Sequence, residues 1–91
     1  MIQIIDNDIK RGGIKIGWIE DTHIFDHTGK KVAYFSAKEA FNAAGDKIAY
    51  MEGGFIVYPK NHTKVRIEDN NKFVSGLVPD MCRAAIRLIL G

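Results

Sequence analysis

Cysteine is nearly absent: the 91 residues hold one, Cys82. A single thiol excludes an internal disulfide framework and any metal site built from cysteines. It also makes a reducing, cytoplasmic setting the expected one. Long apolar runs are missing as well. None approaches the ~18 residues of a membrane helix, and no basic stretch followed by an apolar one opens the chain, so neither a membrane span nor a secretory leader is expected. An excess of either charge is missing: a net charge of +2 is too mild to imply a partner by itself. The motifs of familiar chemistry are lacking too. No helix bearing a lysine and a serine or threonine follows Gly12-Gly13 or Gly53-Gly54, so both pairs read as turns, not phosphate loops. Ser36 and Ser75 lie in no nucleophile motif.

What the chain does have is a repeat. Residues 25–35 read FDHTGKKVAYF, and sixteen residues on, 41–51 read FNAAGDKIAYM. Sixteen residues back, 9–19 read IKRGGIKIGWI, and a weaker copy, YPKNHTKVRIE, occupies 58–68. Aligned, the copies share a large apolar residue (Ile9, Phe25, Phe41, Tyr58) and then a turn residue (Gly13, Gly29, Gly45, His62). A lysine follows (Lys15, Lys31, Lys47, Lys64), then a β-branched residue (Ile16, Val32, Ile48, Val65). Next come small residues (Gly17, Ala33, Ala49) and aromatics (Trp18, Tyr34, Tyr50); the fourth copy has Arg66 and Ile67 in those columns.

Each unit reads as strand, tight turn, strand. The glycine allows positive φ at the bend, and a β-branched residue followed at two by an aromatic is strand patterning. Lone hairpins are barely stable in water, so the four must pack together. The expected fold is mostly β: four pseudo-symmetric hairpins about an axis plus one C-terminal helix, in a single domain spanning 1–91. Hairpins are expected over about 2–69 and the helix over about 79–90. This glycine-turn repeat, closed by a short apolar helix, resembles the four-fold beta flower domain family, small bacterial proteins with four hairpins set as petals. That resemblance covers about residues 2–90 and implies no reaction and no catalytic residue.

In chain order, strands are expected at 2–5, 14–20, 22–26, 31–35, 46–51, 55–58 and 63–68. Ser36–Ala40 has room for one helical turn. Glu52-Gly53-Gly54 holds the residue that lengthens the last spacing, as a bulge or a longer turn. Asp69–Lys72 is a polar turn, and Pro79 suits the first position of the helix. On that helix Asp80, Arg83 and Arg87 form a narrow polar stripe, and the rest is apolar. So narrow a stripe requires cover on most sides, from a wall of strands or from a second copy.

Candidate sites follow from these patterns. A ring of Lys15, Lys31, Lys47 and Lys64 would attract an anion or nucleic acid; otherwise these are solvated lysines that discourage edge pairing. Trp18, Tyr34 and Tyr50 resemble stacking platforms for single strands, but period-2 alternation puts them with Ile16, Val32 and Ile48 in the core. His23, Asp26 and His27 sit on a strand running into a turn, a poor geometry for a metal, and His62 lies in another hairpin; no metal or cofactor is expected. Cys82 reads as a packing cysteine and not a nucleophile. Met81, Cys82, Ile86 and Ile89 are the candidate oligomer contact. With no acid/base pair, the expected function is a non-catalytic module acting through self- or protein association; the alternative is anion or nucleic-acid binding through the lysines.

Overall fold

The computed structural model describes residues 2–91. Ten strands form one sheet: β1 (Ile2–Ile5), β2 (Asp8–Arg11), β3 (Ile14–Glu20), β4 (His23–Asp26), β5 (Lys31–Phe35), β6 (Glu39–Asn42), β7 (Lys47–Glu52), β8 (Phe55–Tyr58), β9 (Thr63–Arg66) and β10 (Val74–Ser75). A one-turn helix α1 (Ile67–Asn70) precedes β10, and α2 (Asp80–Ile89) follows it. The order across the sheet is β10-β1-β2-β3-β4-β5-β6-β7-β8-β9. Every pairing from β1 to β9 is antiparallel between chain neighbours; only β10 returns, pairing parallel with β1.

The hairpins alternate between two kinds of bend. At one end of the strands two-residue loops close the pairs Ile5↔Asp8, Glu20↔His23 and Glu52↔Phe55. Asp6 and Asn7 both have positive φ, the form whose twist matches that of the flanking strands. At the other end sit the repeat's glycine turns. Asp26 Oδ1 accepts from the Thr28 amide at 2.9 Å and the Lys30 amide at 3.1 Å. Sixteen residues on, Asn42 Oδ1 accepts from the Ala44 and Asp46 amides, each at 3.0 Å. Gly29 (φ 89°) and Gly45 (φ 91°) complete these turns in a conformation that side chains rarely adopt.

Beside each of the first three glycine turns the register slips by one residue. Ile9 pairs with Gly17 but Lys10 with Lys15; Ile24 with Ala33 but Phe25 with Lys31; Ala40 with Ala49 but Phe41 with Lys47. The extra residues are Ile16, Val32 and Ile48. Such a bulge breaks strict alternation. Ile16, Val32 and Ile48 pack against the core, and so do the small residues that follow them. Gly17 could carry nothing larger, because a Cβ there would strike the Phe25 carbonyl oxygen. The fourth hairpin pairs without a slip, Ile56 with Val65 and Phe55 with Arg66. Val65 therefore turns inward, and Arg66 lies outside the small-residue position that alignment of the copies assigned to it.

Ten strands laid flat at ~4.8 Å spacing would span about 43 Å, whereas the molecule's longest extent is 32 Å. The sheet is curled. Helix α2 contacts β5, β6 and β7 and also β10, which lies five positions from β5 in the sheet order. The core fills the concave side: Ile9, Ile24, Ala33, Ala40, Ala49 and Ile56 from the strands, Met81, Cys82, Ala84, Ala85 and Ile86 from the helix.

Three expectations are corrected. Ser36–Ala40 holds no helical turn: Glu39 and Ala40 belong to β6, and the Ser36 amide bonds to the Glu39 carbonyl at 2.8 Å across a tight bend. The strand expected to reach 68 stops at Arg66, because Ile67–Asn70 turn into α1. Pro79 stands as the N-cap in extended conformation, and the helix begins at Asp80. No helix among the described residues is long and apolar enough to cross a membrane.

Candidate functional site: the lysine–aromatic face

The convex face of the sheet is organised by the bulges. On a regular strand, residues three apart point to opposite faces. The extra residue cancels one alternation, so each lysine and the aromatic three places on share a face. Lys15 Nζ lies 5.2 Å from the Trp18 ring centroid, Lys31 Nζ 5.6 Å from Tyr34 and Lys47 Nζ 5.7 Å from Tyr50, all within cation–π range. In the unbulged hairpin Lys64 lies 5.2 Å from Phe55 on the neighbouring strand. Across the strand pairs, Trp18 stacks on Phe25 (5.5 Å, 10°) and Tyr34 on Phe41 (4.9 Å, 16°). Trp18, Phe25, Tyr34, Phe41 and Tyr50 are half-buried and outside the core, contrary to the expectation that alternation packs them with the β-branched residues.

The structure thus places all four candidate lysines on one face. Two are ion-paired: Lys15 with Asp8 at 3.0 Å and Lys47 with Glu39 at 2.6 Å, each pair about half-exposed. Among the described residues, neither Lys31 nor Lys64 has a carboxylate at ion-pair distance. Sequence reasoning passed over Asp8 and Glu39. In the aligned copies His23 and Glu39 share a column with Asn7, and Asp8 takes the equivalent place only through strand pairing, opposite Trp18 as His23 is opposite Tyr34 and Glu39 opposite Tyr50.

The other candidates are dispersed. Asp26 is engaged by its own turn, where the Thr28 hydroxyl donates to its carboxylate at 2.6 Å and holds its pKa below the ordinary value. His27 and His62 are exposed in separate turns. Among the described residues no three His, Cys, Asp or Glu side chains are grouped to hold a metal. Cys82 is fully buried, and burial pushes its thiol up to about 12, which removes it as a nucleophile at neutral pH.

The proposed oligomer contact needs correction in three of its four residues. Met81, Cys82 and Ile86 have no exposed surface, being covered by the chain's own sheet, while Ile89 is 37% exposed. Ile89 and Leu88 border a groove of about 510 Å³ with the turn residues Asn42, Asp46, Lys60 and Asn61. A buried polar knot lies near this end of the helix: Asn70 Oδ1 accepts from the Tyr58 hydroxyl at 2.7 Å and from Arg87 at 3.2 Å, and Arg87 lies over the Phe73 ring.

Comparison with protein-family models, with curated proteins and with solved structures finds no match to this chain.

Proposed function

We propose that the protein is a non-catalytic module that works by association, with a second copy of itself or with another protein, through the convex face of its sheet. The observation that carries this is the row of half-buried aromatic rings, each beside a lysine, repeated along one accessible face. Aromatics with a polar rim are what anchors an interface, and tyrosine and tryptophan lead among its energetic centres. The same reading takes the four hairpins as petals related by near quarter turns, as in the beta flower family, and the protein as bacterial and cytoplasmic. The recurrent bulges and matched turns support it.

The test uses the Trp18→Ala/Tyr34→Ala double variant. Light scattering of purified protein reads self-association, and affinity capture from native lysate, with and without nuclease, reads other partners. The wild type is expected to associate, and the variant to lose the complex while keeping its circular dichroism. Association unaffected by the double substitution removes this face from the reading. Capture that disappears with nuclease replaces protein association by nucleic-acid binding through Lys15, Lys31, Lys47 and Lys64, which would also weaken steeply with salt.

A further inference from the structure

The three bulged hairpins repeat more than a lysine and a ring. In each, a residue of the preceding strand pairs with the aromatic that lies beside the lysine: Asp8 with Trp18, His23 with Tyr34, Glu39 with Tyr50. In the first and third hairpins that residue is a carboxylate bonded to the lysine. In the middle hairpin it is His23. Lys31 is therefore left without the partner that its equivalents have, on an exposed part of the face. The imidazole supplies no negative charge, and its Nδ1 is enclosed without a hydrogen-bond partner.

The surroundings of Lys31 are ordered by ring contacts. Tyr34 lies beside the Lys31 ammonium and is stacked on Phe41, and His23 tilts against the same Tyr34 at 6.2 Å. The ring quadrupole holds an ammonium without neutralising it. The ammonium is therefore left free to take an oxyanion in a charge-assisted hydrogen bond. A carboxylate is the expected oxyanion, because the equivalent lysines of the flanking hairpins take one.

We propose that Lys31, held over Tyr34 on the strand beside His23, is the recognition point for a carboxylate of a partner protein, an Asp or Glu side chain that supplies the charge Asp8 and Glu39 supply in the neighbouring hairpins. The proposal rests on the reading of the convex face as the contact surface and names the chemistry that face selects. A partner with an acidic side chain at the centre of its own contact patch completes the row, whereas one presenting a lysine there meets like charge.

The test is an NMR titration of the intact protein with acetate, against chloride at matched ionic strength, following the His23 ring and the Lys31 side chain. The wild type is expected to give saturable shifts at these two residues with acetate alone. His23→Glu, which supplies the missing carboxylate from within the chain, is expected to abolish them, as is Lys31→Gln. The reverse substitution, Glu39→His, is expected to create a second acetate-responsive position at Lys47. No saturable shift in the wild type, or an unchanged response in His23→Glu, overturns the proposal. Inorganic phosphate is the second probe, and tighter saturation by phosphate than by acetate overturns the carboxylate assignment in favour of a phosphorylated ligand. The titration needs no macromolecular partner. Its failure alongside an association still sensitive to Trp18→Ala/Tyr34→Ala sinks this site alone.

Discussion

Cys82 shows how surroundings set a single side chain's behaviour. Its thiol is enclosed between helix and sheet, and burial raises its pKa from 9.0 to about 12. The folded chain then keeps a proton that the unfolded chain loses. This contribution to stability is fully present below pH 9.0 and is lost as pH rises toward about 12, at up to about 1.4 kcal/mol per pH unit. The Tyr58 hydroxyl, also raised by burial, adds to the fall only above 10.0. Urea midpoints should therefore drop between pH 9.0 and 10.0 in the wild type and stay flat across that interval in Cys82→Ala, whose overall stability is lower because of the cavity. Cys82 was legible as a packing residue because its helix neighbours are alanine and isoleucine. Asn70 was not. It stands in a run of polar residues that reads as a turn, yet it is fully buried, because the Tyr58 hydroxyl twelve residues earlier reaches it. Nothing in a local window carries that contact.

At the level of elements, seven strands were readable, β2, β6 and β10 were not among those expected, and the faces of the strands were hidden. Gly29 and Gly45 announce their turns, and the β-branched and aromatic columns announce strands. Which way Trp18, Tyr34 and Tyr50 point depends on one slipped pairing per hairpin, and slippage is a property of two strands together. The lysine column was seen as a candidate site; its arrangement over the rings was hidden by the same slip. The helix was read correctly as apolar on most sides, and the choice left open, between a wall of strands and a second copy, falls to the strands. Two substitutions one turn apart measure this. Ile86→Glu places a carboxylate in the closed interior, where an unpaired charge costs several kcal/mol, and should unfold the chain by circular dichroism. Ile89→Glu lies at the exposed end and should shift the thermal midpoint little, within about 0.5 kcal/mol of wild type. Equal damage from both would mean that the helix end is covered too.

For the whole molecule, the curl of the sheet and the helix inside it are one fact. The strands carry their small and apolar residues inward, and only α2 fills the hollow they leave. A chain cut before Pro79 lacks Met81, Cys82, Ala84, Ala85 and Ile86. It should lose the dispersed amide spectrum of the intact protein and aggregate, since single hairpins are marginal and the exposed inner face is sticky. A well-dispersed spectrum from that fragment would show that the sheet holds itself together.

The return of β10 to β1 gives the order of strands a meaning in time. From β1 to β9, each strand emerging from the ribosome finds its neighbour already made, so pairing can keep pace with synthesis. Strand β1 is the exception: its second edge stays bare until Val74 and Ser75 arrive, after all the other strands have been made. Ile2 and Ile4, buried in the finished protein, face this wait longest. The growing sheet is thus most exposed to mispairing at β1, and the two-residue β10 is the latch that ends the interval.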